Sequence, residues 1–262
     1  MPIKTKMPKT PIKFYSGFRY GENPPRGKFL ENGEPFFLKH QKRVNTIVIC
    51  LHGFTATPFE VLPVAKECFK RGMDAVGPVF PAHSIPNKKL AKKYMSNVSW
   101  QDWANSIRTE IKIAREQYTN VYCYGQSMGG AVATLMAEEN LVDAIALTAP
   151  GLILPKYVSL LWILGWLKIE IPKPREKSNF VNIAYQTNNL HATKQLLLLS
   201  RKARKHLEDI TCPVFEAHSE IDELITPKVA KLIKNRVDAP VTIKWYNKSG
   251  HTMPLDVSGQ EI

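Results

Sequence analysis

Nowhere does the chain hold the ~18 uninterrupted apolar residues that a membrane-spanning helix needs. Its longest apolar run, Val158 to Leu167, is too short and is broken by Ser159 and Gly165. The N-terminus is basic with no apolar stretch behind it, which argues against a secretory signal peptide. Cysteine is scarce: Cys50, Cys68, Cys123 and Cys212 lie far apart and make no C-x-x-C pair. That pattern reads as reduced core thiols of a cytoplasmic protein, while the even count leaves a disulfide open. H-E-x-x-H, a P-loop and a dinucleotide-binding glycine fingerprint are all missing, so no metal and no cofactor is expected. Repeats and low-complexity tracts are missing as well.

Acids are the minority charge, and the resulting net charge of +13 is unevenly spread. Residues 1–43 hold ten Lys and Arg against three acids, and residues 151–211 hold ten against four, while the rest of the chain balances. A basic face of this kind meets anionic lipid, nucleic acid or acidic substrate, or simply keeps the protein soluble. No nucleic-acid-binding module accompanies the charge, so no nucleic acid partner is expected.

What is present is an alternation of strands and helices, in a chain whose 262 residues are enough to bury a full core. Residues 1–33, rich in Pro, Lys and Gly, read as a basic N-terminal extension. Pro35 to Leu38 reads as an edge strand, and the β-branched run Thr46–Leu51 as a buried parallel strand. Thr57-Pro58-Phe59-Glu60 reads as a capping box that opens a helix. Ala75–Phe80 is a weaker strand. Apolar residues at 103, 107, 111, 114 and 118 mark a helix face. Strands are expected at 121–124, 143–148, 214–218 and 242–246. Between residues 151 and 211 the rhythm stops and the text is helical: Tyr157–Lys168 is apolar nearly all round, and Leu196, Leu199, Ala203 and Leu207 form a stripe. The expected architecture is therefore α/β, a doubly wound and mostly parallel sheet built from residues 34–150 and 212–262, with a helical cap inserted at 151–211.

The chemistry is concentrated at Val121–Gly130. A short apolar strand runs into Gly125-Gln126-Ser127-Met128-Gly129, the G-x-S-x-G pattern, followed by a helix-forming run. A residue on a sharp strand-to-helix turn crowds its neighbours, so the positions two before and two after it must be small. The helix aims its N-terminal N–H groups at the turn, where they favour developing negative charge.

A serine hydroxyl needs a base, and the base needs an orienting acid. In a doubly wound sheet both come from loops at the carboxyl ends of strands. Asp222 follows the strand at 214–218, with Glu220 and Glu223 as its rivals. His251 follows the last strand in a Ser-Gly turn, with His218, His52 and His83 as rivals. The order Ser127, Asp222, His251 is the one a G-x-S-x-G hydrolase uses. Two N–H groups should hold the oxyanion: that of Met128, next to the nucleophile, and that of Phe54 in the loop after the first strong strand.

LHGFTATP, GQSMGG, the Asp222 loop and KWYNKSGHTMPLD together resemble the α/β-hydrolase family, in particular small bacterial carboxylesterases and monoacylglycerol lipases. The resemblance runs from about Pro35 to Asp256. It implies a lid over the site, no cofactor, and hydrolysis of short- to medium-chain esters or monoacylglycerols by Ser127, Asp222 and His251, with Phe54 and Met128 as oxyanion donors. Apolar residues of the cap, Trp162, Leu164 and Trp166 among them, would supply an acyl-binding wall. The same apolar run, flanked by Lys156 and Lys168 and followed by Arg201, Lys202, Arg204 and Lys205, suggests weak contact with anionic membranes or lipid aggregates. Thioesterase, peptidase or acyltransferase chemistry on the same three residues stays open, as does a non-catalytic lipid- or partner-binding role.

Three features depart from the family pattern. Ala82-His83-Ser84 stands where relatives carry Gly-His-Gly, the basic extension is longer, and only eleven residues follow His251, so the usual closing helix is expected to be short or missing.

Overall fold

The computed structural model describes residues 28–156, 158, 164–173, 180–256 and 259. Most of the N-terminal extension and most of the apolar run 157–167, Trp162 included, lie outside the described residues. Seven strands form one sheet: β1 (Phe36–Leu38), β2 (Thr46–Leu51), β3 (Asp74–Gly77), β4 (Asn120–Gln126), β5 (Ala144–Thr148), β8 (Val214–Ser219) and β9 (Val241–Tyr246). Their order is β1-β3-β2-β4-β5-β8-β9. Only β1, at the edge, runs antiparallel, paired with β3; every other pairing is parallel. β4 is therefore the central strand, and its carboxyl end is the centre of one rim of the sheet.

The helices bounded within the described residues are α1 (Leu62–Lys70), α2 (Lys88–Met95), α3 (Trp100–Arg115), α4 (Met128–Glu138), α5 (Leu190–Lys202) and α6 (Lys228–Arg236). Alternation along the central strands sends successive side chains to opposite faces. Ile47, Ile49, Leu51, Val121 and Cys123 pack with Trp103, Ile107 and Ile111 of α3 and with α4. Val48, Cys50, Ala75 and Tyr124 pack on the other face with Val61 and with Ala65 of α1. Burial on both faces is what the continuous run TIVICL requires.

Between β5 and β8 the chain leaves the sheet. This stretch holds α5, whose Leu196 and Leu199 continue into Ala203 and Leu207 as a buried stripe. It also holds a two-stranded antiparallel ribbon, β6 (Glu170–Pro172) with β7 (Thr187–Asn189), which the helical expectation omitted.

Two local expectations need correction. Thr57–Glu60 is not a capping box: Pro58–Val61 is a 3-10 turn ahead of α1, and Thr57 makes no side-chain cap. The Thr57 hydroxyl donates instead to the Ile183 carbonyl at 2.9 Å, and the Glu60 carboxylate accepts from Gly53 N–H at 2.6 Å. For Thr57, a partner from a distant part of the chain has displaced the local one. The capping box of this region is at α3, where Ser99 and Asp102 bond each other's backbone N–H groups. α2 was also unforeseen, because its sequence KKLAKKYM buries only Ala91 and Met95.

Candidate active site

Ser127 sits between β4 and α4 at φ 53°, ψ −112°, a left-handed backbone that a residue with a Cβ adopts only when its surroundings force it. The neighbouring glycines make room for it. A Cβ on Gly129 would come within 2.1 Å of the Leu51 carbonyl oxygen, and one on Gly125 within 2.4 Å of the Gly129 oxygen. The helix can start this close to the sheet only because both positions lack side chains.

His251 Nε2 lies 2.9 Å from Ser127 Oγ, and His251 Nδ1 lies 2.9 Å from Asp222 Oδ2. The other carboxylate oxygen, Asp222 Oδ1, accepts from Leu224 N–H and Ile225 N–H, each at 2.8 Å. Burial alone would push the Asp222 carboxyl up. The adjacent His251 ring outweighs it, with the hydrogen bonds from His251, Ile225 and Leu224, and holds Asp222 below the usual carboxylate range. Glu220 and Glu223 are exposed, so Asp222 is the acid of this loop that meets His251. The loop carrying His251 is fixed by Gln126 Nε2, which donates to the His251 carbonyl at 2.8 Å, and by Ser219 Oγ, which donates to the Ser249 carbonyl.

The rival histidines are all buried and occupied. His218 Nε2 donates to the Ile225 carbonyl, and Nδ1 faces Glu216 at 2.9 Å. Burial disfavours its charged form, but the Glu216 carboxylate and that carbonyl overcome it and raise its pKa. His52 Nε2 accepts from Phe80 N–H at 3.2 Å, so its proton is on Nδ1, which donates to the Gly53 carbonyl. His83 Nε2 likewise accepts from Thr55 N–H at 3.1 Å, and Nδ1 donates to the Pro81 carbonyl. Burial drives both rings toward the neutral form, His52 well below its ordinary value and His83 to about 4. These two histidines brace the loop that carries Phe54.

The direction of two N–H groups follows from peptide planarity. The Gly53 carbonyl is held by His52 Nδ1 and by Ala56 N–H. In a trans peptide the N–H points opposite to the C=O, so Phe54 N–H is turned away from both donors. The Ser127 carbonyl is held by Ala131 N–H and Gly151 N–H, which turns Met128 N–H outward from the start of α4. Among the described residues, neither N–H donates to another group.

Ala82 and Ser84 keep left-handed backbones, φ 69° and 56°, at the two positions where the resemblance led to the expectation of glycine. Tyr185 OH donates to the Ala82 carbonyl and accepts from Ile85 N–H. Leu30 N–H donates to the Ser84 carbonyl, and Ser84 Oγ donates to the Gly33 carbonyl. Of the cap residues singled out as an acyl wall, Leu164 is 42% exposed and Trp166 is 72% exposed; Trp162 is outside the described residues. Sequence reasoning missed Glu60 and the return segment 182–185, whose partners lie far away in the chain.

The model of the family described as Hydrolase_4, serine aminopeptidase, S33, matches residues 42–258. A carboxylesterase of Bacillus subtilis (strain 168) is 24% identical over 215 residues, covering 80% of this chain and 85% of its own. A thermostable monoacylglycerol lipase of Bacillus sp. (strain H-257) is 24% identical over 218 residues, covering 78% and 80%. Among solved structures, that of a metagenome-derived lipolytic enzyme superposes with a TM-score of 0.81 at 21% identity, over 89% of this chain and 95% of the other. At that identity the likeness speaks for the fold. No helix among the described residues is long and apolar enough to cross a membrane.

Proposed function

The chain belongs to the Hydrolase_4 family of α/β-hydrolases, and from that footing we propose that it is a serine esterase of the carboxylesterase and monoacylglycerol lipase type, acting on short- to medium-chain esters through an acyl-enzyme. The observation that carries the proposal is the unbroken chain from Ser127 Oγ through His251 to Asp222, with two 2.9 Å links.

In the first half-reaction Ser127 Oγ attacks the ester carbonyl carbon and its proton passes to His251 Nε2. The carbonyl oxygen becomes an oxyanion held by Phe54 N–H and Met128 N–H. Collapse breaks the bond to the alkoxy group, which leaves as the alcohol with the proton from Nε2. Water then repeats the sequence on the acyl-enzyme: it gives a proton to Nε2, attacks the acyl carbon, and releases the acid as the proton returns to Ser127. Asp222 holds the ring in the tautomer with the proton on Nδ1 and stabilises the imidazolium that forms.

Leu164 and Trp166 are proposed to meet the acyl chain, or the lipid aggregate that presents it, from their exposed places on the insertion. One experiment tests the whole reading. The protein is assayed on p-nitrophenyl esters of rising acyl length, on monoacylglycerols in anionic and in neutral vesicles, on an acyl thioester and on an aminoacyl anilide. A fluorophosphonate label reports the nucleophile. Ester turnover and labelling should both vanish in Ser127→Ala, a loss on the order of 10⁴- to 10⁶-fold. A variant that kept a tenth of the parent rate would end the assignment, and faster turnover of the thioester or anilide would move the substrate class.

A further inference from the structure

Glu60 is a carboxylate only 4% exposed, in a 3-10 turn that the Thr57 side chain does not cap. Burying such a group is costly unless its oxygens are bonded. Here Oε2 takes Gly53 N–H at 2.6 Å, and Oε1 lies 3.4 Å from Asn182 Nδ2. The carboxylate is also close to the nucleophile: a Cβ on Gly53 would stand 2.9 Å from Glu60 Oε2 and 3.5 Å from Ser127 Cβ. Gly53 is thus the thin spacer between a fixed acceptor and the reacting serine.

We propose that Glu60 is a positioning residue for the oxyanion donor, acting together with the return segment of the insertion. The proposal rests on the serine esterase reading. Gly53 has no side chain to limit its rotation, and its N–H and its carbonyl belong to successive peptides. Glu60 fixes the first peptide by its N–H. His52 and Ala56 fix the second by its carbonyl, and that second peptide carries Phe54 N–H. The segment 182–185 closes the other side. Tyr185 N–H donates to the Thr55 carbonyl at 2.9 Å, and Thr57 Oγ1 donates to the Ile183 carbonyl at 2.9 Å. Thr55 is left-handed, φ 62°, and these bonds span it.

The ground-state carbonyl draws little from an oxyanion donor, whereas the tetrahedral oxyanion depends on it. Loosening the Gly53 peptide should therefore lower kcat and leave KM in place. A displacement near 1 Å is enough for ~10- to 100-fold. Glu60→Gln keeps an acceptor of the same reach and should restore most of the rate, whereas Glu60→Asp withdraws the acceptor by one methylene and should not.

The test measures kcat and KM on a short-chain p-nitrophenyl ester, together with the inhibition constant of a trifluoromethyl ketone, for the parent, Glu60→Ala, Glu60→Asp and Glu60→Gln. The expected result is that kcat and ketone affinity fall together in the Ala and Asp variants, with KM within twofold and near-parent values in Gln. An unchanged kcat, a loss carried in KM, or a Gln variant as impaired as Ala overturns the proposal. Should Glu60→Ala fail to fold, the Asp variant carries the same comparison. Fluorophosphonate labelling of the parent through Ser127 separates the two levels: without it the esterase reading fails, and with it only the role of Glu60 is at stake.

Discussion

At the turn that carries Ser127, geometry is imposed by what is missing. Gly125 and Gly129 let α4 start against the backbone of β2, at the turn where Ser127 holds its left-handed φ. The loop that carries Phe54 is held by what has been added. His52, His83 and Glu60, all buried, each take or give a hydrogen bond to the backbone between Gly53 and Thr55. Each turn carries one of the two N–H groups proposed to hold the oxyanion. The first is a problem of packing and the second of polar satisfaction, so they should fail differently when perturbed.

The sharpest way to break the first is Gly129→Ala. The new methyl would sit 2.1 Å from the Leu51 carbonyl oxygen and 2.8 Å from that of His52. Both are backbone atoms of the central sheet and loop, with no flexible end to move. We expect a cost above about 3 kcal/mol in urea unfolding, together with loss of fluorophosphonate labelling. A variant with parent stability and labelling would show that the elbow tolerates a side chain and that packing does not set it.

The second turn should show its dependence on polar satisfaction through pH. His83 accepts Thr55 N–H only while neutral, and burial lowers its pKa to about 4. An unfolded histidine titrates near ~6.5, so between these values the unfolded chain binds the extra proton. The stability due to His83 is present above the upper value and is lost as pH falls toward the lower one. Its size is on the order of 3 kcal/mol. Glu138, which burial pushes up to about 7, contributes with the opposite sign as pH rises, so the total curve mixes both. His83→Gln retains an acceptor and a donor but does not titrate. The difference between parent and variant unfolding free energies at pH 7.5 and pH 5 isolates the ring. Equal slopes for the two proteins would remove His83 from the account.

The same contrast explains what could be read from the sequence. Gly125, Ser127 and Gly129 are neighbours in the chain, so the elbow was legible as spacing. Asp222 and His251 each follow a strand that alternates or runs apolar, and the strand-end rule placed them. The bracing of the Phe54 loop was not legible, because its bonds cross the chain: His83 meets Thr55, Thr57 meets Ile183, and Tyr185 meets Ala82. Thr57 and Glu60 show the failure most clearly. Their local pattern is a sound helix start, but tertiary partners offered better-placed acceptors and donors, and the cap was given up. α2 was missed for a related reason, since a helix that buries two of its eight residues leaves almost no apolar period to detect.

The smallest expected effect comes from a single Cβ removed rather than added. Ala82 holds φ 69°, a conformation costing an L-residue about 1–2 kcal/mol that glycine does not pay. Glycine in turn loses about 0.5–1 kcal/mol more conformational entropy on folding. The two nearly cancel, so Ala82→Gly should change unfolding stability by less than about 1 kcal/mol, in the stabilising direction, and leave kcat and KM within twofold. Opposite signs at two turns of one site would then follow from one atom: harmful at Gly129, where backbone fills the space, and mild at Ala82, where Tyr185 OH holds the Ala82 carbonyl and the loop keeps its shape without help from the methyl. Chemical denaturation and ester kinetics on the two variants make the comparison. If Ala82→Gly lost activity as Gly129→Ala is expected to, the loop would owe its shape to the methyl's packing, and the division between a packed turn and a hydrogen-bonded one would not hold.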